Sequence, residues 1–193
     1  ILLKAKEIIS KDGQDKLSIR RIATEIEYSL ATIYLYFQDK DEILYQMMDK
    51  GFEILAHQMQ PVYQETSALR RLFLIVQAYI RFGIENQDWY TLMFNSASPM
   101  NHIERCKSEW GHGIAIFEYL VSTCREALAE AERPGIDERI LALQMWSTVH
   151  GLVSLSNTQR LTIVDGNCTV GMDCPLIDLT LENMMFTLFN HKI

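Results

Sequence analysis

The sequence predicts an all-α protein, with an amino-terminal helix-turn-helix domain of three helices and a larger helical domain behind it. Three observations lead to this fold class. Apolar residues recur with the period of a helix along most of the 193 residues. Turn residues separate these stretches, and the one β-prone run, Leu161–Val164, is short. An apolar content of 48% with 22% charged residues fits a globular chain with a sizeable core.

The helix-turn-helix prediction covers the first 40 residues. A leading helix carries Ala5, Ile8 and Ile9 and ends at Gly13. Two stripes with the spacing i, i+3, i+4 and i+7 follow, namely Ile19, Ile22, Ala23, Ile26 and then Leu30, Ile33, Tyr34, Phe37. Each stripe gives its helix one apolar face. Ser18 and Ser29 precede the stripes, where a side-chain oxygen can cap the first turn of a helix.

Helical spacing continues behind this segment. It predicts a long helix from behind Asp39 to just before Pro61, a helix at about 67–86, and a shorter one ending at Asn95. Later helices are predicted at about 101–132, 137–158 and 175–191, with a break at 96–99, a stop at 133–135 and an irregular segment at 161–173. The predicted domains are residues 1–45 and 46–193.

The motif of the first domain resembles a known family. Ser18-Ile19-Arg20-Arg21-Ile22-Ala23, then Thr32-Ile33-Tyr34-Leu35-Tyr36-Phe37 and Lys40, are similar to the amino-terminal domain of the tetracycline-repressor (TetR) family. The resemblance covers about the first quarter of the chain. It implies a DNA-binding domain followed by an all-helical domain for ligand binding and dimerisation. The family usually has glycine in the turn where this chain has Glu27, and a non-glycine residue at positive φ is mildly strained.

The resemblance carries DNA-binding roles over to matching positions. Arg20 stands where the family places a base-reading arginine, whose planar guanidinium can bind O6 and N7 of a guanine. The other base-facing positions are Leu30, Ala31 and Tyr36, and the positions that bind the DNA backbone are Ser29, Thr32, Tyr34 and Lys40. The predicted DNA-binding set also includes Ser18. Tyr34 shares the apolar stripe, so a partly buried position in the core is an equal alternative for it.

The charge distribution is compatible with DNA binding. Residues 1–40 carry seven Lys and Arg against six Asp and Glu, whereas residues 41–193 carry eleven against nineteen. The acidity of the chain therefore lies outside the helix-turn-helix. The excess of one positive charge is small, so we expect DNA affinity to depend on a few contacts and to fall steeply with salt. The chain opens at Ile1 inside a helical pattern, so we expect the natural amino terminus to lie further upstream.

The second domain is rich in aromatic residues. We predict an apolar ligand site lined by Tyr90, Phe94, Trp110, Phe117, Trp146 and His150. The alternative is that these side chains are ordinary core. The segment Trp146-Ser147-Thr148-Val149-His150-Gly151 resembles the Trp-x-x-x-His-Gly signature of one subgroup of TetR carboxy-terminal domains. His150 is interpreted either as a core or interface histidine or as a neutral polar anchor for the ligand.

The last two helices predict a homodimer. The final helix has apolar residues on nearly every side, among them Leu179, Leu181, Met185 and Phe186, and the helix at 137–158 is similar. A two-fold interface of these two helices from each subunit would bury the surplus. A monomer with a thicker core is the alternative.

Other classes of protein are disfavoured by the residues that the sequence does not contain. We find no phosphate-binding glycine loop, nucleophile elbow or metal signature, and expect no enzyme activity, no cofactor and no metal. No apolar run reaches the length of a membrane span and no leader is evident, so we expect a cytoplasmic protein with no membrane partner. The four cysteines form no zinc spacing, so we expect free thiols, with a Cys168–Cys174 pair as a possible product of oxidation.

Together these features predict a ligand-responsive transcriptional regulator. We interpret it as a repressor that binds a palindromic double-stranded operator and is released by a small hydrophobic molecule. The alternative is a DNA-binding adaptor whose carboxy-terminal domain binds a protein partner instead.

Overall fold

A computed structural model describes residues 1–95, 98–106, 110–169 and 174–189. The regular structure in these ranges consists of helices without strands, which confirms the all-α fold class. The α-helices are α1 (Leu2–Asp12), α2 (Ile19–Glu25), α3 (Leu30–Tyr34), α4 (Lys40–Gln58), α5 (Ala68–Glu85), α6 (Gln87–Asn95), α7 (Ser98–Cys106), α8 (Gly111–Glu130), α9 (Glu138–Asn157), α10 (Leu161–Val164) and α11 (Pro175–Phe189).

The predicted starts of α2 and α3 are confirmed. The backbone N–H of Arg21 donates to Ser18 Oγ at 3.1 Å, and the N–H of Thr32 donates to Ser29 Oγ at 3.1 Å. These caps satisfy first-turn donors that have no partner inside a helix. The core between α1 and α4 consists of fully buried side chains that include Ile8, Ile22, Ile33, Ile43 and Leu44.

The contacts between Cα atoms group the chain into two compact units. The first unit contains Ile1–Glu53 and Asp88–Gly113, and the second contains Ile54–Gln87 and Ile114–Ile193. The first unit is therefore larger than the helix-turn-helix, because α6 and α7 pack in it. A compact unit and a functional domain are different properties, so the boundary between residues 45 and 46 stays a prediction.

The second unit is built around α5 and α9. Ser67 caps α5, and the Glu130 carboxylate also accepts hydrogen bonds from the Ser67 hydroxyl at 2.7 Å and from the Ala68 N–H at 2.6 Å. Asn157 Nδ2 donates to the carbonyl of Gly83 at 2.9 Å, which ties the end of α9 to α5. A carboxylate near a helix N-terminus also interacts favourably with the helix dipole.

The structure corrects two helix predictions. The predicted helix at 101–132 is two helices, α7 and α8, and α7 begins at Ser98 inside the predicted break. The β-prone run Leu161–Val164 is the helix α10, in which the Arg160 carbonyl accepts from the N–H groups of Ile163 and Val164. Local hydrogen bonds decide its conformation, because the described residues offer this run no strand to pair with. The predicted end of the last helix at 191 lies outside the described residues.

The cysteine prediction is corrected for one pair. Cys168 and Cys174 form a disulfide that joins the segment after α10 to the start of α11. Cys124 is free and buried on α8, where burial, with a smaller contribution from Glu138, raises the pKa of its thiol to about 12. A thiol with this pKa stays protonated at neutral pH and is a poor nucleophile. Among the described helices, none is both long enough and apolar enough for a membrane span.

Candidate functional sites

The exposed side of α3 is the candidate DNA-binding face. Ile33 and Phe37 are buried, but Leu30 is 38% exposed and Tyr34 is 55% exposed. The predicted apolar stripe is therefore wrong at these two positions, and Tyr34 does not belong to the core. Tyr36 is also exposed, at 66%, as is Ala31. Because α3 has only five residues, one side of it packs against the core and the other side remains available to a partner.

The turn between α2 and α3 adopts a left-handed conformation at Glu27, with φ of 59°. The N–H of Tyr28 donates to the carbonyl of Ala23 at 2.9 Å, which is the hydrogen bond of a helix end whose next residue has positive φ. Glu27 therefore adopts the left-handed conformation that usually favours glycine. Tyr28, which was not predicted as a site residue, is 59% exposed directly before the cap of α3.

The two adjacent arginines of α2 have different environments. The Arg21 guanidinium donates to Glu25 Oε1 at 2.8 Å and to a carboxylate oxygen of Asp12. Both hydrogen bonds raise the pKa of Arg21, and the one to Glu25 contributes most. The hydrogen bond from Arg21 in turn lowers the pKa of Asp12. Arg20 is exposed, and its guanidinium has no hydrogen-bond or ion-pair partner among the described residues. Arg20 is therefore the arginine that is available to an external acceptor.

The predicted backbone-binding residues lie at the edges of this face. Ser18 and Ser29 act as helix caps, and Ser29 Oγ lies 2.8 Å from Thr32 Oγ1. Lys40 Nζ donates to the Gln14 carbonyl at 3.0 Å. An ammonium has three N–H donors, so two remain after this bond. The sequence did not indicate that the Gln14 carbonyl would hold this ammonium.

The predicted aromatic set is divided between the two units. Tyr90, Phe94 and Trp110 belong to the first unit, where they surround Phe52, which was not predicted. The centroid of the Phe52 ring lies 5.5 Å from Phe94 and 5.4 Å from Trp110, both edge to face, and Tyr90 lies 4.9 Å from Phe94. These distances are favourable for aromatic pairs. We call Phe52, Tyr90, Phe94 and Trp110 the first aromatic cluster.

Trp110 contributes an unusual polar atom to this cluster. Its Nε1 is buried from solvent and has no hydrogen-bond acceptor among the described residues. The nitrogen lies against Gly113 on the first turn of α8. Beside it, Asp49 accepts the His112 backbone N–H at 3.4 Å and pairs with His112 Nδ1 at 2.9 Å.

The second half of the set surrounds Tyr79 in the second unit. The Tyr79 hydroxyl accepts a hydrogen bond from Trp146 Nε1 at 3.0 Å and lies 3.1 Å from His150 Nδ1. Burial lowers the pKa of His150, which favours its neutral form. In a neutral imidazole, Nδ1 can accept a hydrogen bond from the tyrosine hydroxyl when the ring proton is on Nε2. Phe117 lies 5.8 Å from Trp146, and the Arg139 guanidinium lies 5.7 Å from the Phe117 ring.

Comparison with known protein families identifies both parts of the chain. Residues 1–47 match the family described as bacterial regulatory proteins, tetR family. Residues 72–168 match the tetracyclin repressor-like carboxy-terminal domain. The chain belongs to the TetR family. It is therefore a DNA-binding transcriptional regulator, and TetR proteins bind DNA and form dimers.

Individual TetR relatives are distant. An uncharacterized helix-turn-helix regulator from Haemophilus influenzae is 32% identical over 59 residues, which span 31% of this chain and 32% of that protein. The nucleoid occlusion factor SlmA from Vibrio cholerae is 24% identical over 153 residues, or 76% of each chain. A protein of unknown function from Rhodococcus sp. RHA1 has a similar fold, with a TM-score of 0.75 at 22% identity over 97% of this chain and 93% of the other.

The described part of the TetR chain offers no group of three or more His, Cys, Asp or Glu side chains arranged to hold a metal ion. The candidate sites are therefore the exposed face of α3 with Arg20 and the two aromatic groups.

Proposed function

We propose that this TetR protein is a repressor that binds a palindromic operator as a homodimer and is released by a small hydrophobic ligand. In this proposal residues 1–45 bind the DNA and residues 46–193 bind the ligand and the second subunit. The protein acts in the cytoplasm, where its DNA target lies, and carries out no catalysis.

The contrast between Arg20 and Arg21 carries the DNA-binding part of the proposal. Arg21 is held by Glu25 and Asp12, whereas Arg20 has no partner among the described residues. In the same helix-turn-helix, an exposed arginine can read a guanine edge while the exposed Leu30 and Tyr36 contact thymine methyls and sugar. The proposed contacts to phosphate are those of Ser18, Ser29, Thr32, Tyr34 and Lys40.

The exposed apolar residues of α9 and α11 support the dimer. Ile140 and Leu143 on α9 are 60% and 51% exposed, and Leu179 and Phe186 on α11 are 58% and 46% exposed. Large apolar side chains that are exposed on two helices favour burial against a partner. We propose that a second copy of the chain covers them through a two-fold interface of α9 and α11.

The ligand part of the proposal is supported by the two aromatic groups. Phe117 and Trp146 lie near the polar group of Tyr79 and His150, and the first aromatic cluster carries the indole N–H of Trp110. Apolar walls with a few polar groups are typical of small-molecule sites.

Release from DNA requires a ligand that binds two states of the dimer with different affinity. The helix-turn-helix domains of the two subunits must lie about one helical turn of DNA apart, roughly 34–36 Å, to enter successive major grooves. A ligand that prefers a dimer with another spacing shifts the population away from the operator-binding state. Coupling of roughly 1–3 kcal/mol is usual for such effects.

The experiment that tests the proposal is selection from random duplex DNA at low salt. It compares the wild-type protein with Arg20→Ala and with Arg21→Ala as the matched control on the same helix. We expect a palindromic consensus that Arg20→Ala loses and that Arg21→Ala retains, because only Arg20 is available to DNA. Enrichment of no sequence by the folded wild-type protein would contradict operator binding. An operator affinity that no hydrophobic compound changes would contradict the ligand response.

A further inference from the structure

The indole N–H of Trp110 is an unused donor in an otherwise apolar place. Nε1 is buried and has no acceptor among the described residues. A buried donor that gives up its hydrogen bond to water without a replacement destabilises the folded state. Native proteins leave few such groups, and those that remain call for a physical explanation. A ligand atom that accepts this hydrogen bond is such an explanation.

The neighbours of this donor are suited to an apolar molecule. Phe52 is 3% exposed and lies edge to face against both Phe94 and Trp110. Phe94 and Trp110 themselves are only partly buried. Part of each of these two rings is therefore accessible to an incoming molecule, whereas Phe52 is covered. The donor and the aromatic surface belong to the same compact unit.

Gly113 provides a second observation at the same place. A Cβ atom on Gly113 would lie 2.3 Å from Trp110 Nε1 and 2.4 Å from Cε2, distances that real Cβ atoms do not show. Only glycine lets the nitrogen edge of the indole approach the helix this closely. The missing side chain at Gly113 therefore makes room for this position of the indole on the first turn of α8.

The surroundings of the donor favour a neutral acceptor. The His112 N–H and imidazole at the start of α8 are already paired with the Asp49 carboxylate, so they are not available to a charged ligand. An ionised carboxylate that is buried among aromatic rings loses far more hydration free energy than a neutral carbonyl does. A carbonyl oxygen is therefore the better acceptor for this N–H.

We propose that Trp110 Nε1 donates a hydrogen bond to the carbonyl oxygen of a neutral apolar ligand, whose hydrocarbon part packs on Phe94 and Phe52. The inference rests on the proposed ligand response and deepens it, since it names one anchoring atom and a ligand class of neutral carbonyl compounds. Specificity follows from the anchor: a hydrocarbon of the same shape leaves the donor without a partner, and a carboxylate loses its hydration among the aromatic rings.

The test uses three small probes of similar shape: acetophenone, ethylbenzene and benzoate. The wild-type protein is labelled with ¹⁵N at the indole nitrogens, and the N–H signal of each tryptophan is followed in proton–nitrogen correlation spectra. Trp110→Phe assigns the signal and keeps an aromatic ring while removing the donor. Trp89→Phe is the matched control, because Trp89 lies on α6 in the same unit and is also partly buried.

We expect acetophenone to shift the Trp110 N–H signal downfield and to bind about three- to tenfold more tightly than ethylbenzene, the effect of one net hydrogen bond. Benzoate should bind more weakly than acetophenone. Trp110→Phe should remove the preference for acetophenone, and Trp89→Phe should retain it.

Three results would overturn the inference. They are equal affinity for acetophenone and ethylbenzene, tighter binding of benzoate, and a Trp110 N–H that is already hydrogen-bonded and unchanged by acetophenone. The wild-type spectra decide these points even when a variant does not fold. Operator binding of the same sample is measured in parallel. A protein that binds its operator but shows no preference for a carbonyl contradicts this inference alone, and one that selects no operator contradicts the proposed function.

Discussion

The indole nitrogen of Trp110 lies over Gly113 so closely that a methyl group on this glycine would stand 2.3 Å from it. Trp110 precedes α8, and Gly113 is on the first turn of that helix. The backbone of the turn is therefore one wall of the first aromatic cluster, and the glycine determines where the indole lies.

Gly113→Ala should displace the Trp110 ring and destabilise the protein by about 1–3 kcal/mol, the usual cost of an added methyl in a packed place. Urea unfolding measures the free energy, and the Trp110 indole signal reports the displacement. Gly111→Ala is the control, because a Cβ atom on Gly111 would lie 3.9 Å from Asp49 Oδ1, which is an ordinary van der Waals distance. Equal effects of the two substitutions would show that a change in helix propensity, not the indole, is responsible.

Glu27→Gly should stabilise the protein by about 0.5–1 kcal/mol and strengthen DNA binding. Glycine adopts the φ of 59° without the penalty that a Cβ brings, and the substitution also removes a carboxylate beside the DNA-binding face. Thermal unfolding and fluorescence anisotropy with a labelled duplex at low salt measure the two effects.

Gln159→Gly is the matched control for this prediction. Gln159 has φ of 58° at the end of α9, and the following N–H donates to the Leu155 carbonyl in the same type of helix end. The Gln159→Gly variant should gain stability without a change in DNA affinity. If the control strengthened DNA binding as much as Glu27→Gly, the turn would have no specific role at the DNA.

Stability should fall as the pH drops from about 7 toward 5, in part because of His150. Burial lowers the pKa of this imidazole in the folded state, so the unfolded chain binds its proton at a higher pH than the folded chain does. The contribution of the neutral form is therefore present above the ordinary histidine pKa of 6.5 and is lost as the pH falls through the folded pKa. The measurement is the unfolding midpoint against pH for the wild type and His150→Gln, and a His150→Gln curve parallel to that of the wild type would refute this assignment.

Loss of the Cys168–Cys174 disulfide should destabilise the protein by about 2 kcal/mol, since the bond closes a loop of seven residues in the unfolded chain. Reductant should lower the urea midpoint of the wild type to that of a Cys168→Ser, Cys174→Ser variant. The same reductant should leave the variant unchanged. A further decrease in the variant would point to another thiol as the cause.

The helix-turn-helix could be predicted from the sequence because its signals are local. Ser18 and Ser29 accept hydrogen bonds from N–H groups three residues away. At Glu27 the family resemblance indicated a position that usually holds glycine, and the φ of this residue is 59°. The apolar stripe of α3 was less informative. A helix of five residues has too few turns for its period to separate Ile33, which is buried, from Tyr34, which is exposed.

The aromatic groups could not be assembled from the sequence, since their contacts depend on tertiary packing. Tyr79 lies 71 residues from His150, and neither residue has a local signal that predicts the other. The position of Phe52 between Phe94 and Trp110 depends on the packing of α4, α6 and the residue that precedes α8. The exposure of Ile140 and Phe186 agrees with the predicted surplus of apolar residues, whereas the dimer interface itself stays a prediction.

In the helix-turn-helix domain, part of the positive charge is paired with acidic side chains of the same domain. Arg21 is bound to Asp12 and Glu25, and Lys4 pairs with Glu7 and lies 4.0 Å from Glu25. Cations engaged in this way release few counterions from random DNA, so we expect non-specific binding to depend less steeply on salt than operator binding does. A chromosome offers roughly a million or more competing sites to each operator. A regulator that adheres weakly to those sites remains available in the cell, and a small number of copies can then keep a single operator occupied.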